Sequence, residues 1–299
     1  MTDTHKSWLV TGASGFLGTN FTATTDTLIA LTRSNNLPKG YYSNVVADLE
    51  DEQQLRDAVQ QVKPDYILHA AAMSSHEECE LDPRRAFHIN EQATRILAQE
   101  SEIVGAKYIY ISTDAVFAGD RGNYTENDST NPFSVYGASK LAGEVAALHE
   151  SNALVIRTNF FGWSPTGTRS ILEFFVNNLE ANSPVAGFTD FTVTSLYVRQ
   201  CAEIIRQLRN EVGLWHVTSR DALSKYDYGI EVSRVFTLDS RLITAQTSSE
   251  DTSQKVSRSR DISLNTTKVQ NFLNRMSLPP LPSQIEGILQ AQQDRAHVL

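Results

Sequence analysis

The sequence predicts an α/β protein, a doubly wound parallel sheet carrying a smaller C-terminal region. Three observations predict it. Short apolar runs alternate with helix-patterned segments through the first half of the chain, and a glycine-rich turn directly follows the first of those runs. Beyond about Arg157 the simple alternation stops. At 299 residues the chain is long enough for one large domain or for two units sharing a cleft. The division expected is 1–157 and 158–299, with some elements of the second part returning to the first.

Composition narrows the partners. The chain has 26 Lys and Arg against 35 Asp and Glu, a formal charge of −9, and no basic run that would track a nucleic-acid backbone. Cys79 and Cys201 are two isolated thiols, which fit neither a disulfide framework nor a metal site. The polar start, residues 1–6, has no apolar leader, and nothing approaches the ~20 apolar residues of a membrane span. Cytoplasmic localisation without membrane association is the expectation.

Residues 7–10, Ser-Trp-Leu-Val, read as a buried strand. The run breaks into Thr11-Gly12-Ala13-Ser14-Gly15-Phe16-Leu17-Gly18 ahead of a helical stretch. Glycines at this spacing let the chain turn tightly, admit a pyrophosphate against the backbone and let the helix pack on the strand. With a strand before and a helix after, this is a dinucleotide site of the Rossmann type. The next strand, 27–31, runs into Thr32-Arg33-Ser34, with no acid to hold a ribose 2′-hydroxyl. Arg33, with Ser34, suits a 2′-phosphate instead, so NADPH is expected over NADH; the other reading of Arg33 is a solvated loop residue.

A third strand at 44–47 leads to Asp48 and Leu49, and residues 50–62 carry helical periodicity. Strand 66–69 ends in Ala70, Ala71 and Ala72, small enough for a cofactor to lie against the backbone at the carboxyl end of the sheet. His69 reads as a buried strand residue rather than a base. Residues 82–104 read as one long helix carrying Asn90, and strand 108–111 ends in the polar tip Ser112-Thr113-Asp114. Residues 117–134 form a polar loop that suits a flap or a solvated connection.

Tyr136 and Lys140 follow, four residues apart at the start of a helix, so their side chains lie one above the other. Two unit charges ~4 Å apart at an effective dielectric of ~20 interact by ~4 kcal/mol, enough for Lys140 to lower the phenol by up to ~3 pKa units. Farther on, helices at 169–179 and 197–208 and the segment 187–195 between them are expected to form a smaller capping region, followed by a Ser/Thr-rich mobile loop at 247–259.

Taken together, TGASGFLG, HAAA, STDAVF at 112–117 and YGASKLAGE at 136–144 resemble the extended short-chain dehydrogenases/reductases. Within them the chain is most similar to the dTDP-4-dehydrorhamnose reductase group of sugar-nucleotide reductases. The likeness continues through IRTNFFG at 156–162, GLWHVTSRDALSKYDYG at 213–229 and LNTTKV at 264–269. It implies that Thr113 hydrogen-bonds a substrate carbonyl, that Tyr136 donates the proton, and that Lys140 holds the nicotinamide ribose while lowering the phenol. It places Gly12, Ser14, Gly15, Phe16, Leu17, Gly18, Arg33, Ser34, Asp48, Leu49, Ala70, Ala71 and Ala72 along the cofactor, with Asn90 as either a structural or a proton-relay residue. Ser74, Thr113, Asp114, Phe160, Asp190, Thr194, Ser195 and Arg258 fall on the substrate side, Phe160 either facing the sugar or in the core.

Departures sharpen the choice. Related dehydratases carry Thr-Asp-Glu where this chain has Thr113-Asp114-Ala115, so elimination lacks its base. Epimerases show a serine-rich version of the same strand end. Ser259 stands where relatives have a proline after the arginine, and Arg199 where an acid is common. The function implied is NADPH-dependent reduction of the 4-keto group of a nucleotide-diphosphate 4-keto-6-deoxyhexose in deoxysugar biosynthesis, by a homodimer without metal. An epimerase, another ketoreductase, or a cofactor-binding regulatory subunit like that of methionine adenosyltransferase are the alternatives.

Overall fold

The structure, a computed structural model, describes residues 5–22, 25–247, 260–273, 278 and 280–296. The chain divides into two compact units, each assembled from separated stretches. The first comprises Met1–Val116, Thr130–Arg157 and Ala202–Trp215; the second comprises Phe117–Ser129, Thr158–Cys201 and His216–Leu299.

In the first unit the elements run β1 (Ser7–Thr11), α1 (Phe16–Asn20), β2 (Thr27–Thr32), β3 (Ser43–Val46), α2 (Glu52–Val62), β4 (Tyr66–His69), α3 (His76–Leu81), α4 (Pro83–Phe87), a π turn (His88–Gln92) and α5 (Ala93–Val104). They continue with β5 (Lys107–Thr113), a 3-10 turn (Asp114–Val116), α6 (Val135–Leu148) and β6 (Ala153–Thr158). The second unit opens its own series with β7 (Phe160–Phe161), α7 (Ile171–Glu180), β8 (Val185–Phe188), β9 (Thr192–Val193) and β10 (Leu196–Tyr197). The chain then contributes α8 (Val198–Gln207) and β11 (Gly213–His216), and ends in β12 (Leu223–Ser224), α9 (Lys225–Phe236), β13 (Ile243–Gln246), α10 (Thr267–Leu273) and α11 (Leu281–Ala296).

The central sheet has seven strands in the order β11-β6-β5-β4-β1-β2-β3, and β3, β2, β1, β4 and β5 pair in parallel. Strand order reverses between β1 and β4. A crevice therefore opens beyond their carboxyl ends, where the glycine turn and the alanine run lie. Strands and helices close over Leu9, Ile67, Tyr108 and Val155 from the sheet with Leu55, Val59, Ile96 and Leu97 from α2 and α5. Fully burying each such aliphatic side chain stabilises by ~1.5–3 kcal/mol. Late in sequence, α8 returns Arg206 to the start of the sheet, its guanidinium 3.8 Å above the Phe21 ring and bonded to the Thr22 carbonyl.

Most predicted elements sit where expected; the differences have local causes. Residues 82–104 are helical throughout but not uniform. Asp82 caps α4, and the π turn at 88–92 lets the Asn90 carbonyl turn aside to accept from the Thr94 hydroxyl (2.7 Å) and the Tyr110 hydroxyl (3.1 Å). Helix α3 was not foreseen; Ser75 starts it by accepting from the Glu78 amide. The helix after the glycine run is only five residues long.

In the second unit, Phe161, Leu172, Phe175, Tyr228, Val232 and Ile285 form the core. Ser170 and Glu173 make a reciprocal capping box at the start of α7. The flap and solvated-loop readings of 117–134 are corrected for its first part: Tyr124 stacks on Phe117 at 4.2 Å, its hydroxyl accepts from the Gly119 and Asp120 amides, and its backbone bridges to Leu264. That stretch is pinned within its unit. The loop expected at 247–259 lies outside the described residues beyond Thr247. Among the described residues no helix is long and apolar enough to cross a membrane.

Candidate active site

The cofactor side begins at Thr11, the last residue of β1. Its hydroxyl accepts from the Ala71 amide (3.0 Å) and shares a hydrogen bond with His69 Nδ1 (2.7 Å), tying the ends of β1 and β4 together. His69 is fully buried and held neutral, its imidazole pulled down to about 3 by burial first and by the nearby Lys140 second. It is a strand residue, as expected.

Gly12 has φ +71°, and a Cβ there would stand 2.8 Å from the Ala71 amide nitrogen; a Cβ at Gly18 would stand 2.2 Å from the Gly12 carbonyl oxygen. Only glycine lets the turn lie so close to the alanine run and to α1. Ser14 is exposed, Gly15 and Phe16 half-buried, Leu17 and Gly18 buried; Ala70, Ala71 and Ala72 are all half-buried. Arg33 and Ser34 are exposed after β2, where the Thr32 hydroxyl donates to the Ser34 carbonyl (2.7 Å) and Asn44 buttresses the turn. Asp48 accepts from the Glu50 amide (3.1 Å), and Leu49 packs against the sheet core. Glu50, the nearby acid, is engaged by a bidentate Arg85. A backbone cradle closed by glycine and alanine, with an exposed arginine at the second strand's end, fits a dinucleotide.

Thr113 closes β5, its hydroxyl donating to Asp114 Oδ1 (3.0 Å) and accepting from the Ala115 amide (3.2 Å). Helix α6 must start close to that turn. Ser134 caps it by accepting from the Gly137 amide, and a Cβ at Gly137 would meet the Ala115 carbonyl oxygen at 2.2 Å. This approach sets the Tyr136 phenol beside Thr113. Farther along the helix, a Cβ at Gly143 would lie 2.3 Å from the Tyr110 hydroxyl and 2.4 Å from the Asn90 carbonyl. Asn90 is fully buried, its amide nitrogen donating to the Met73 carbonyl (3.0 Å) and Ser139 hydroxyl (2.9 Å) while its oxygen accepts from the Met73 amide (2.9 Å). These bonds lock the segment after β4 to α6.

One electrostatic expectation is corrected. The phenol of Tyr136 is pushed up to about 12, by burial first, with the Thr113 bond opposing and the Asp114 and Cys79 charges adding. The Lys140 ammonium lies 4.0 Å over the Tyr110 ring. It is itself drawn down to about 7 by burial, with Glu144 opposing. Sequence reasoning also missed His76, whose ring is 4.7 Å from that of Tyr136, and the buried Glu144–Arg157 pair. His76 lies in no motif; Glu144 and Arg157 fall within YGASKLAGE and IRTNFFG, but their pairing joins α6 to β6 and is not visible in either run.

Ser74 is exposed just before α3, and Asp114 is buried beside Thr113. In the second unit, Phe160 is half-buried in β7 and Asp190 half-buried ahead of β9. Thr194 and Ser195 are buried, the Thr194 hydroxyl accepting from the Leu264 amide (3.1 Å) and the Ser195 hydroxyl donating to Asn159 Oδ1 (3.2 Å). Arg258 lies outside the described residues.

Comparison with known proteins gives a consistent family. Residues 6–293 match the family described as RmlD substrate binding domain. The chain is 37% identical to a dTDP-4-dehydrorhamnose reductase of Streptomyces griseus over 50% of its own length and 48% of that protein's. It is 30% identical to methionine adenosyltransferase 2 subunit beta of Danio rerio over 79% of itself and 76% of that protein. Its fold superposes on the dTDP-4-dehydrorhamnose reductase of Bacillus anthracis in complex with NADP with a TM-score of 0.85, at 21% identity, covering 97% of this chain and 100% of that one.

Proposed function

From the premise that the chain belongs to the RmlD substrate binding domain family, whose members are NAD(P)H-dependent reductases of the extended short-chain type, we propose that it reduces the 4-keto group of a nucleotide-diphosphate 4-keto-6-deoxyhexose with NADPH. The observation that carries this is the close approach of α6 to the end of β5, which sets Tyr136 beside Thr113 at the carboxyl end of the sheet, with Lys140 one helical turn below and the glycine–alanine cradle at the neighbouring strand ends. When bound, the reduced nicotinamide supplies the hydride.

The chain's own residues supply the rest. Tyr136 gives its phenolic proton to the substrate oxygen as negative charge develops there, and Thr113 holds that oxygen by hydrogen bonding. A phenol kept protonated up to about 12 arrives at the reaction as an acid, the form that reduction needs. Gly12, Gly15 and Gly18 with the alanine run hold the dinucleotide, Arg33 and Ser34 take the 2′-phosphate, Asp48 and Leu49 flank the adenine, and Lys140 serves the ribose. Ser74, Asp114, Phe160, Asp190, Thr194, Ser195 and Arg258 remain candidates for the sugar nucleotide.

Tyr136→Phe tests the assignment. It removes one hydroxyl, so turnover of a ketosugar with NADPH falls at least ~100-fold while cofactor affinity stays within a few-fold. Retained turnover refutes the role. The Danio rerio relative supports a second reading, a cofactor-binding regulatory subunit. Under that reading NADPH binds, no nucleotide-4-ketosugar is reduced, and a methionine adenosyltransferase co-purifies. A panel of dTDP-, UDP-, GDP- and CDP-ketosugars assayed for NADPH oxidation separates the two.

A further inference from the structure

One buried carboxylate outside the reacting trio bonds α6 to two strands of the sheet. Glu144 lies one turn beyond Lys140 and two beyond Tyr136 on the same face of α6. Its carboxylate receives Arg157 Nε on Oε1 (2.8 Å) and Arg157 Nη2 on Oε2 (2.6 Å), and the Ser112 hydroxyl also donates to Oε1 (2.5 Å). Ser112 immediately precedes Thr113 on β5, and Arg157 is on β6. Glu144 and Arg157 are 2% and 5% exposed, so this is a charge pair removed from water.

We propose that Glu144 is a positioning residue for Tyr136 and Lys140: clamped to β5 through Ser112 and to β6 through Arg157, it fixes the reactive face of α6 against Thr113 and keeps a proton on the Lys140 ammonium.

The burial argues for more than packing. A buried ion pair is commonly matched or bettered in stability by apolar residues of the same shape, so adhesion between helix and sheet does not require it. What apolar residues lack is a field. The groups that act on Lys140 are the Tyr110 ring on β5, 4.0 Å from its ammonium, His69 on β4 and Glu144 on α6, the last bonded to Arg157 on β6. His69 is neutral, and of the rest Glu144 is the carboxylate, with Arg157 offsetting part of its charge. Burial brings Lys140 to about 7, with Glu144 opposing. Near neutral pH the charge on the lysine therefore hangs on this carboxylate.

The test titrates the Lys140 side chain by lysine-selective NMR, its signal assigned by its disappearance in Lys140→Met. Glu144→Gln keeps shape and removes charge, and the lysine midpoint falls by about one unit. The double variant Glu144→Gln/Arg157→Met, which leaves no unpaired buried charge, regains thermal stability lost by the single one, yet its lysine midpoint stays below that of the unaltered protein. It carries the test if the single variant does not fold. A midpoint unchanged in either folded variant overturns the proposal. Where Lys140 contacts cofactor, as the functional reading has it, NADPH affinity weakens as pH rises through the lysine midpoint, and in Glu144→Gln that weakening begins at lower pH. The lysine titration needs neither cofactor nor ketosugar, so failure of the functional reading leaves it standing and the two failures are told apart.

Discussion

His69 shows how one side chain writes a pH dependence into the molecule. Its ring is fully buried, shares a hydrogen bond at Nδ1 with Thr11 and lies 5.6 Å from the Tyr110 ring, so the folded protein refuses a proton that the unfolded chain takes near 6.5. A folded-state value below the unfolded one means the unfolded state binds more protons between them. Stability is then intact above about 6.5 and drains as pH falls toward about 3. The full shift corresponds to roughly 4–5 kcal/mol, an upper figure for a group this deep. Urea midpoints taken from pH 7 down to pH 4 fall for the unaltered protein and fall less steeply for His69→Asn; parallel slopes would remove His69 as the cause. The sequence told that His69 was a buried strand residue because it directly precedes the small residues 70–72 and has no partner visible along the chain. It said nothing of the Thr11 partner, which is 58 residues away and adjacent only once β1 and β4 pair.

At the scale of elements, caps and close approaches decide where helices begin and end. Helix α2 starts at Asp51, whose side chain accepts from the Gln54 amide, and stops at Lys63, which is held in the left-handed region at φ 45°. That region is costly for any residue with a Cβ. Lys63→Gly should stabilise the first unit by about 0.5–1 kcal/mol, read as a higher thermal midpoint with unchanged NADPH affinity. Helix α6 is the harder case. Its Tyr136–Lys140 spacing was legible, but spacing alone suggested a lysine beside a phenol, whereas Gly143 lets the helix sink onto Tyr110 and the lysine finds the ring there. The π turn was invisible for a similar reason. Its cause is the Asn90 carbonyl bonding to Thr94 and to Tyr110, and the second partner comes from another strand.

For the whole molecule, the alternation of strands and helices, the glycine turn and the carboxyl-end site were all readable, because each follows from local periodicity and from where parallel strands must end. The origin of each unit's parts was not readable, since compactness depends on contacts between distant stretches. Cofactor choice is a property of the intact protein. At a free NADPH concentration of 100 times its dissociation constant, folding is stabilised by ~2.7 kcal/mol, so the thermal midpoint rises. The rise with NADPH should exceed that with equal NADH, and Arg33→Ala should remove the difference; equal shifts from both would end the 2′-phosphate assignment. The interleaving of the two units has a consequence for synthesis. All of Thr113, Tyr136 and Lys140 have been made by residue 140, but the first unit also needs Ala202–Trp215, and β11 must seal the flank of β6. A nascent chain emerging from the ribosome therefore carries its reactive residues on a sheet with an open edge, competent to pair with a neighbouring chain, until some seventy further residues have followed.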